Sequence, residues 1–215
     1  MHILTNLPSN FVVQNKRYFM HKRDLKSHIK KTLTYKEKCA DKRLLYILAL
    51  FILITFFMIT DIVYVDESGI NKEYQRGYGR AKRGVRVHGT KQGKRLKRTN
   101  IIAGLWYGVF GKRHVAMQCY EHSTNSAFFE DWFEWELLAV IPEYSIIIMD
   151  NASFHQKKRL YEIAARHNVF VLFLPPYSPD LNPIEKSWAN FKKWLCDNLK
   201  HFPSIEWAAM CYFDD

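Results

Sequence analysis

Apolar residues in this chain fall into runs whose spacing changes from one stretch to the next. Ile62–Val65 and Ile146–Met149 are short and almost wholly apolar, which predicts strands, and Val169–Leu174 reads the same way. Lys97–Trp106 and His114–Tyr120 are rich in apolar and β-branched residues and flank a turn at Gly108–Gly111, which predicts a hairpin. Helical spacing takes over at Thr124–Val140, a segment carrying Phe128, Phe129, Trp132, Phe133 and Trp135. It returns at Gln156–His167, where Leu160, Ile163 and Ala164 mark an inner face. From Pro183 to about Lys200 the stripe is Ile184, Trp188, Phe191, Leu195 and Leu199, which gives one apolar helix face. Asn182 suits the N-cap of that helix, Pro183 its first position and Glu185 its third. Strand, two strands, helix, strand, helix, strand, helix is an α/β order. It predicts a mixed sheet with helices on its faces.

Before the first strand lies Leu44–Ile59, sixteen residues with no charge and one polar side chain, Thr55. A helix of that length reaches about 24 Å, short of a hydrocarbon core of about 30 Å. The expectation is therefore a connecting helix over 44–60, buried between the segment before it and the sheet. The alternative is a membrane span behind a basic flank. Residues 1–43 read as a basic arm, and residues 203–215 as a tail that is a short helix or frayed. No secretory signal pattern opens the chain.

Composition adds a division of charge. Of the formal net +11, residues 1–43 contribute 11 basic and 3 acidic side chains, and residues 72–98 contribute 11 basic and one acidic. Residues 99–215 are net negative, with 10 basic and 14 acidic. A basic first half ahead of an acidic second half suggests a polyanionic partner. All nine glycines lie between Gly69 and Gly111, so the basic stretch reads as loops and hairpins rather than helix. Within Gly77–Arg98 the residues expected to touch a phosphate backbone are Arg80, Lys82, Arg83, Arg86, Lys91, Lys94, Arg95, Lys97 and Arg98. The four cysteines are far apart and form no Cys-x-x-Cys pair, so neither a zinc site nor a disulfide framework is supported.

Three acids stand at predicted element ends. Asp66 follows the Ile62–Val65 strand, Asp150 follows Ile146–Met149, and Glu185 sits in the first turn of the last helix. Such carboxylates can share one pocket and hold Mg²⁺, a hard cation that takes oxygen ligands. Each also has an ordinary reading. Asp66 and Asp150 suit turns, and Glu185 suits a capping box. The shared pocket is favoured by their combination with Pro175–Pro176–Tyr177–Ser178–Pro179 and by the 34 residues between Asp150 and Glu185. Strand alternation puts Val63, Val65 and Glu67 on one face and Tyr64 and Asp66 on the other, so Glu67 competes with Asp66 for the pocket.

The strings VDESG, MDNASFH and LPPYSPDLNPIEKSW resemble the catalytic blocks of mariner-type DDE transposases, in their bacterial insertion-sequence branch. The resemblance spans roughly residues 61–200. It implies a ribonuclease H-like catalytic domain over 61–202, with 1–43 as the remnant of a helix-turn-helix region. It implies Asp66, Asp150 and Glu185 as catalytic residues and metal ligands, with two Mg²⁺ or Mn²⁺ ions, Asp66 bridging them and each other acid holding one. Asn151 and His155 would orient those ligands or touch DNA. The implied activity is cleavage and strand transfer of double-stranded DNA, at element ends and target, by a cytoplasmic, nucleoid-associated protein that could act as a homodimer. A remnant that only binds DNA, and a membrane-anchored derivative, are the alternatives.

Overall fold

The computed structural model describes residues 39–71, 86, 88 and 98–213. The chain divides into two units, Met1–Thr34 and Tyr35–Asp215, and all described residues belong to the second. The expected arm lies almost wholly outside the described residues. So do Arg80, Lys82, Arg83, Lys91, Lys94, Arg95 and Lys97.

Five strands form one mixed sheet: β1 (Ile62–Asn71), β2 (Arg98–Gly108), β3 (Gly111–Tyr120), β4 (Ile146–Met149) and β5 (Phe170–Phe173), in the order β3-β2-β1-β4-β5. β1, β2 and β3 pair antiparallel. β4 and β5 join parallel on the other side of β1. β4 is Ile-Ile-Ile-Met because it lies inside the sheet with helices over both faces, and all four residues are buried. The hairpin turns at Val109–Phe110, where Gly111 takes φ 115°, a conformation that favours glycine.

One face of the sheet carries Val63, Val65, Ile147 and Met149 against α2 (Ser126–Asp131), the π-helical turn that continues it (Trp132–Leu137), and α3 (Lys157–Arg166). Asn125 caps α2 by accepting from the Phe128 N–H at 2.9 Å. On β3, one residue more than on β2 fits between the pairs Ile102–Gln118 and Gly104–Val115. Ala116 sits in that bulge at φ 51°, and its carbonyl accepts from Trp132 Nε1 at 2.8 Å. The bulge therefore docks the helical turn onto the sheet.

The opposite face carries α4 (Ile184–Asn198) and α5 (Ile205–Phe213). Ile184, Trp188, Phe191 and Leu195 of α4 are all at most 2% exposed. Full burial of such side chains stabilises by about 1.5–3 kcal/mol each. The tail expected at 203–215 is this second helix, and Ile205, Ala208 and Ala209 close the same core.

α1 (Ala40–Phe57) begins four residues before the apolar run. The expectation set it between the segment before it and the sheet, and that segment lies almost wholly outside the described residues. Tyr46 is the one buried residue of α1, while Leu44, Leu45, Phe51 and Phe56 are more than half exposed. The reason is geometric. Only the stripe Tyr46, Leu50, Leu53 and Phe57 meets the sheet, against Ile146, Ile148 and Phe170. Among the described residues no helix is long and apolar enough to cross a membrane. α1 carries Asp41, Lys42 and Arg43 within its own first turn.

A Cβ at buried Gly104 would stand 2.9 Å from Val63 Cγ1 and 3.0 Å from Leu137 Cδ1. Gly104→Ala is expected to overpack this layer at a cost of about 1–3 kcal/mol. Calorimetry should record a Tm lower by several degrees, and an unchanged Tm would mean that the helical turn can move away from the sheet.

Candidate active site

β1 does not end before Asp66, as the sequence suggested. It continues to Asn71, because β2 goes on pairing with it after β4 has stopped. The last β1–β4 pair is Tyr64 with Ile148. Extending that register by two residues sets Asp150 alongside Asp66. One acid thus lies mid-strand and the other leaves a strand end.

Glu185 arrives from the first turn of α4. The expected cap is realised in backbone but not in side chain. Asn182 is extended (φ −110°, ψ 98°), Pro183 is helical, and the Glu185 N–H donates to the Asn182 carbonyl at 3.2 Å. Asn182 Oδ1, however, is buried without a hydrogen-bond partner, so no capping box forms. Glu185 is exposed, as a carboxylate with no capping duty would be.

The three acids line one cavity of about 470 Å³ together with Asn151, Leu174, the proline loop Pro175–Pro179 and Asn182. Tyr177 in that loop takes φ 55°, a left-handed conformation that a tyrosine adopts only under constraint. Asn151 Nδ2 donates to the Leu174 carbonyl and ties the Asp150 segment to the loop. From the far side Arg43 of α1 donates to Asp180 Oδ1 and Oδ2 at 3.1 and 2.8 Å and to Ser178 Oγ at 2.9 Å.

The electrostatics are those of crowded acids. Burial first, then Glu185, Glu67 and Asp150, push the Asp66 carboxyl up to about 8. Trp188 Nε1 donates to Asp66 Oδ2 at 3.1 Å and fixes the carboxyl on the α4 face. Glu67 faces the other way, as alternation requires, with Oε1 3.9 Å from His155 Nε2. His155 Nδ1 lies 3.0 Å from the Asp150 carbonyl oxygen and 3.6 Å from Asp150 Oδ1. Asp150 Oδ1 also accepts the Ala152 N–H at 3.0 Å, so the turn reading of this acid holds alongside its place in the pocket.

The donor set is all oxygen, which fits a hard divalent cation. The side chains as they stand are not a finished ligand set. Among the described residues no three His, Cys, Asp or Glu side chains are arranged to hold a metal ion.

Several neighbours escaped the sequence reading. Trp188 was assigned to the core stripe alone, and its ring nitrogen is what reaches Asp66. Lys192 stands seven residues after Glu185, two turns along the same helix face, and that spacing was legible. Burial pushes its ammonium below the usual range while Glu185 and Asp66 pull it up. Of the expected phosphate contacts, Arg86 is exposed, and Arg98 opens β2 with its guanidinium lying across Gly69. A second hollow of about 460 Å³ beside the π-helical turn, lined by Gln118, Phe128, Trp132 and Trp135 among others, holds none of the expected residues.

The chain is 33% identical over 57 residues to the uncharacterized protein y4pE/y4sA of Sinorhizobium fredii, a match to 26% of this chain and 40% of that one. It is 25% identical over 151 residues to the transposable element Tc3 transposase of Caenorhabditis elegans, covering 67% of this chain and 45% of the relative. The fold is similar to that in the crystal structure of the Mos1 mariner paired end complex with Mn, with a TM-score of 0.61 and 19% identity over 87% of this chain and 58% of that one. The chain thus spans about half the length of the relatives it matches. Residues 61–206, more than half of the sequence, match the DDE superfamily endonuclease family, and the chain belongs to it.

Proposed function

We propose that this chain carries the catalytic domain of a DNA transposase that cuts double-stranded DNA at element ends and joins the ends to a target. The observation that supports this best is the convergence of Asp66, Asp150 and Glu185 on one cavity from β1, the end of β4 and the start of α4. Asp66, Asp150 and Glu185 are the residues that would hold Mg²⁺ or Mn²⁺. When bound, the ions neutralise charge on the phosphodiester and on the attacking and leaving oxygens of an in-line displacement. Trp188 orients Asp66 through its ring N–H. Asn151 joins the Asp150 segment to the proline loop, and His155 holds the Asp150 peptide. The proline loop walls the cavity and limits the directions from which a DNA strand can enter. The basic segment Arg80–Arg98 follows β1 and leads into β2, and it is assigned the phosphate backbone, which calls for charge more than for fixed geometry. A homodimer bringing two element ends together and a cytoplasmic, nucleoid-associated location belong to the same reading. The Mn-containing paired end complex of Mos1 supports it by similarity of fold.

Asp150→Asn and Glu185→Gln should each abolish metal-dependent cleavage of a duplex carrying the element's ends, while circular dichroism and nonspecific DNA binding stay unchanged. Near-normal cleavage by Glu185→Gln would reduce Glu185 to a helix-start residue.

The raised pKa of Asp66 has a definite sign for stability. Its folded-state value of about 8 stands above the ordinary 3.8. The metal-free folded chain therefore keeps a proton that the unfolded chain has released, from about pH 4 to about pH 8. This acid's contribution to stability declines across that window as pH rises. The Tm of the wild type relative to Asp66→Asn is expected to fall between pH 5 and pH 8, and Mn²⁺ should raise the wild-type Tm more at pH 8 than at pH 6. Parallel Tm curves for the two proteins would show that Asp66 is not perturbed.

Each phosphate contact lowers the slope of log affinity against log salt by about 0.9. Changing Lys94, Arg95, Lys97 and Arg98 to Ala should flatten the slope by about 3–4 on any duplex sequence. An unaltered slope would move the DNA path to another basic surface.

A further inference from the structure

We propose that Glu67 and His155 form a paired support beneath the cavity that sets the spacing between Asp66 and Asp150; this rests on the reading of those two acids as metal-binding groups. The need for a support follows from the strand pairing. The β1–β4 ladder ends at Tyr64 and Ile148, two residues before the acids, so no recorded β1–β4 pair reaches Asp66 and Asp150. Once both are ionised their carboxylates repel one another, and burial strengthens the repulsion. Something other than the ladder has to hold the two segments together.

The link runs on the other face of the sheet. Glu67 is the residue after Asp66, and alternation turns its side chain away from the cavity toward α3. There it meets His155, whose side chain is 2% exposed. The imidazole contacts Asp150 through Nδ1, 3.0 Å from the backbone carbonyl. A carbonyl only accepts, so Nδ1 carries the hydrogen and Nε2 is the nitrogen left to face Glu67. Glu67 Oε1 and His155 Nε2 are both buried without a hydrogen-bond partner, 3.9 Å apart. Two such groups left unpaired would each carry a desolvation penalty of about 1–3 kcal/mol. In that tautomer Nε2 and the Glu67 carboxylate both accept, and one bridging water donating a hydrogen to each removes both penalties. The ring is fixed in plane by aromatic neighbours, with centroids of Phe129 at 4.3 Å, Phe154 at 4.5 Å and Phe173 at 6.2 Å. A rigid imidazole thus joins the residue beside Asp66 to the peptide of Asp150. Glu67, which in sequence competes with Asp66 for the metal, becomes the anchor of the support instead.

The test uses the full chain. In the metal-free protein, ¹⁵N NMR of histidine-labelled material should show His155 protonated at Nδ1, with an Nε2 resonance that shifts strongly in Glu67→Leu and little in Glu67→Gln. An Nε2 resonance unmoved by Glu67→Leu overturns the pairing, whether or not the wild type cleaves DNA. In cleavage assays Glu67→Leu and His155→Phe should each lower kcat by about 10–100-fold and raise the Mn²⁺ concentration for half-maximal rate, with KM for DNA unchanged. Glu67→Gln should stay within about threefold of wild type, and His155→Asn, whose amide nitrogen can take the place of Nδ1, should recover part of the loss. The double variant Glu67→Leu/His155→Phe should be no worse than the poorer single one, because the two act as a unit. Complete loss in Glu67→Gln would make Glu67 a direct metal ligand, and wild-type rates in both Glu67→Leu and His155→Phe would reduce the pair to packing. A wild type without metal-dependent cleavage, combined with the expected NMR behaviour, would sink the nuclease reading and leave the pair standing.

Discussion

Carboxylate repulsion at the place where β4 stops pairing with β1 sets the terms for the structure around it. Asp66, Asp150 and Glu185 face one cavity, and Asp66 is half-buried among the others. Like charges at close range destabilise the state that gathers them, so Asp66 keeps its proton well above the ordinary carboxylate range and the ionised members have to be held in place. The surrounding residues do this. Trp188 holds the Asp66 carboxyl from α4, Ala152 and His155 hold Asp150 from its own loop, and Asn151 joins that loop to the proline wall.

The helix that brings Glu185 is placed by packing rather than by capping. Its four fully buried apolar residues lock its rotation against the sheet, and Trp188 belongs to both the core and the acid pocket. The same rotation that buries Ile184 leaves Glu185 outward at the cavity rim, and Lys192 follows on the Glu185 side two turns later. Core and site are therefore not separable on this helix: a change that rotated the stripe would also withdraw the acid.

The proline loop is braced by α1, at its ends and at its middle. Leu174 and Leu181, at its two ends, pack with Tyr46 of α1, and Arg43 grips its middle through Ser178 and Asp180. α1 lies ahead of the region matched to the endonuclease family, and it still bears on the wall of the proposed catalytic cavity. Its outward apolar residues remain exposed in the described structure, because a helix apolar all round offers a single stripe to a single sheet.

Local pattern alone determined much of this protein. The β-branched runs, the hairpin glycines and the α4 stripe each encode an element through near-neighbour chemistry, and the elements lie close to where that chemistry puts them. The three acids named from the sequence line one cavity, and the strings around them are specific. Four matters were left to the tertiary structure. Whether β1 ends at Asp66 depended on β2, later in the chain, continuing the ladder to Arg98. The unused cap at Asn182 reflects the burial of its side chain in the loop wall. The exposure of α1 depended on how much surface the sheet could offer it. The meeting of Glu67 with His155 joins residues 88 positions apart across the sheet. Sequence patterning reports which face a residue prefers, since that follows from period and polarity. Which partner waits on that face is decided by long-range register and by the space left after the core has packed.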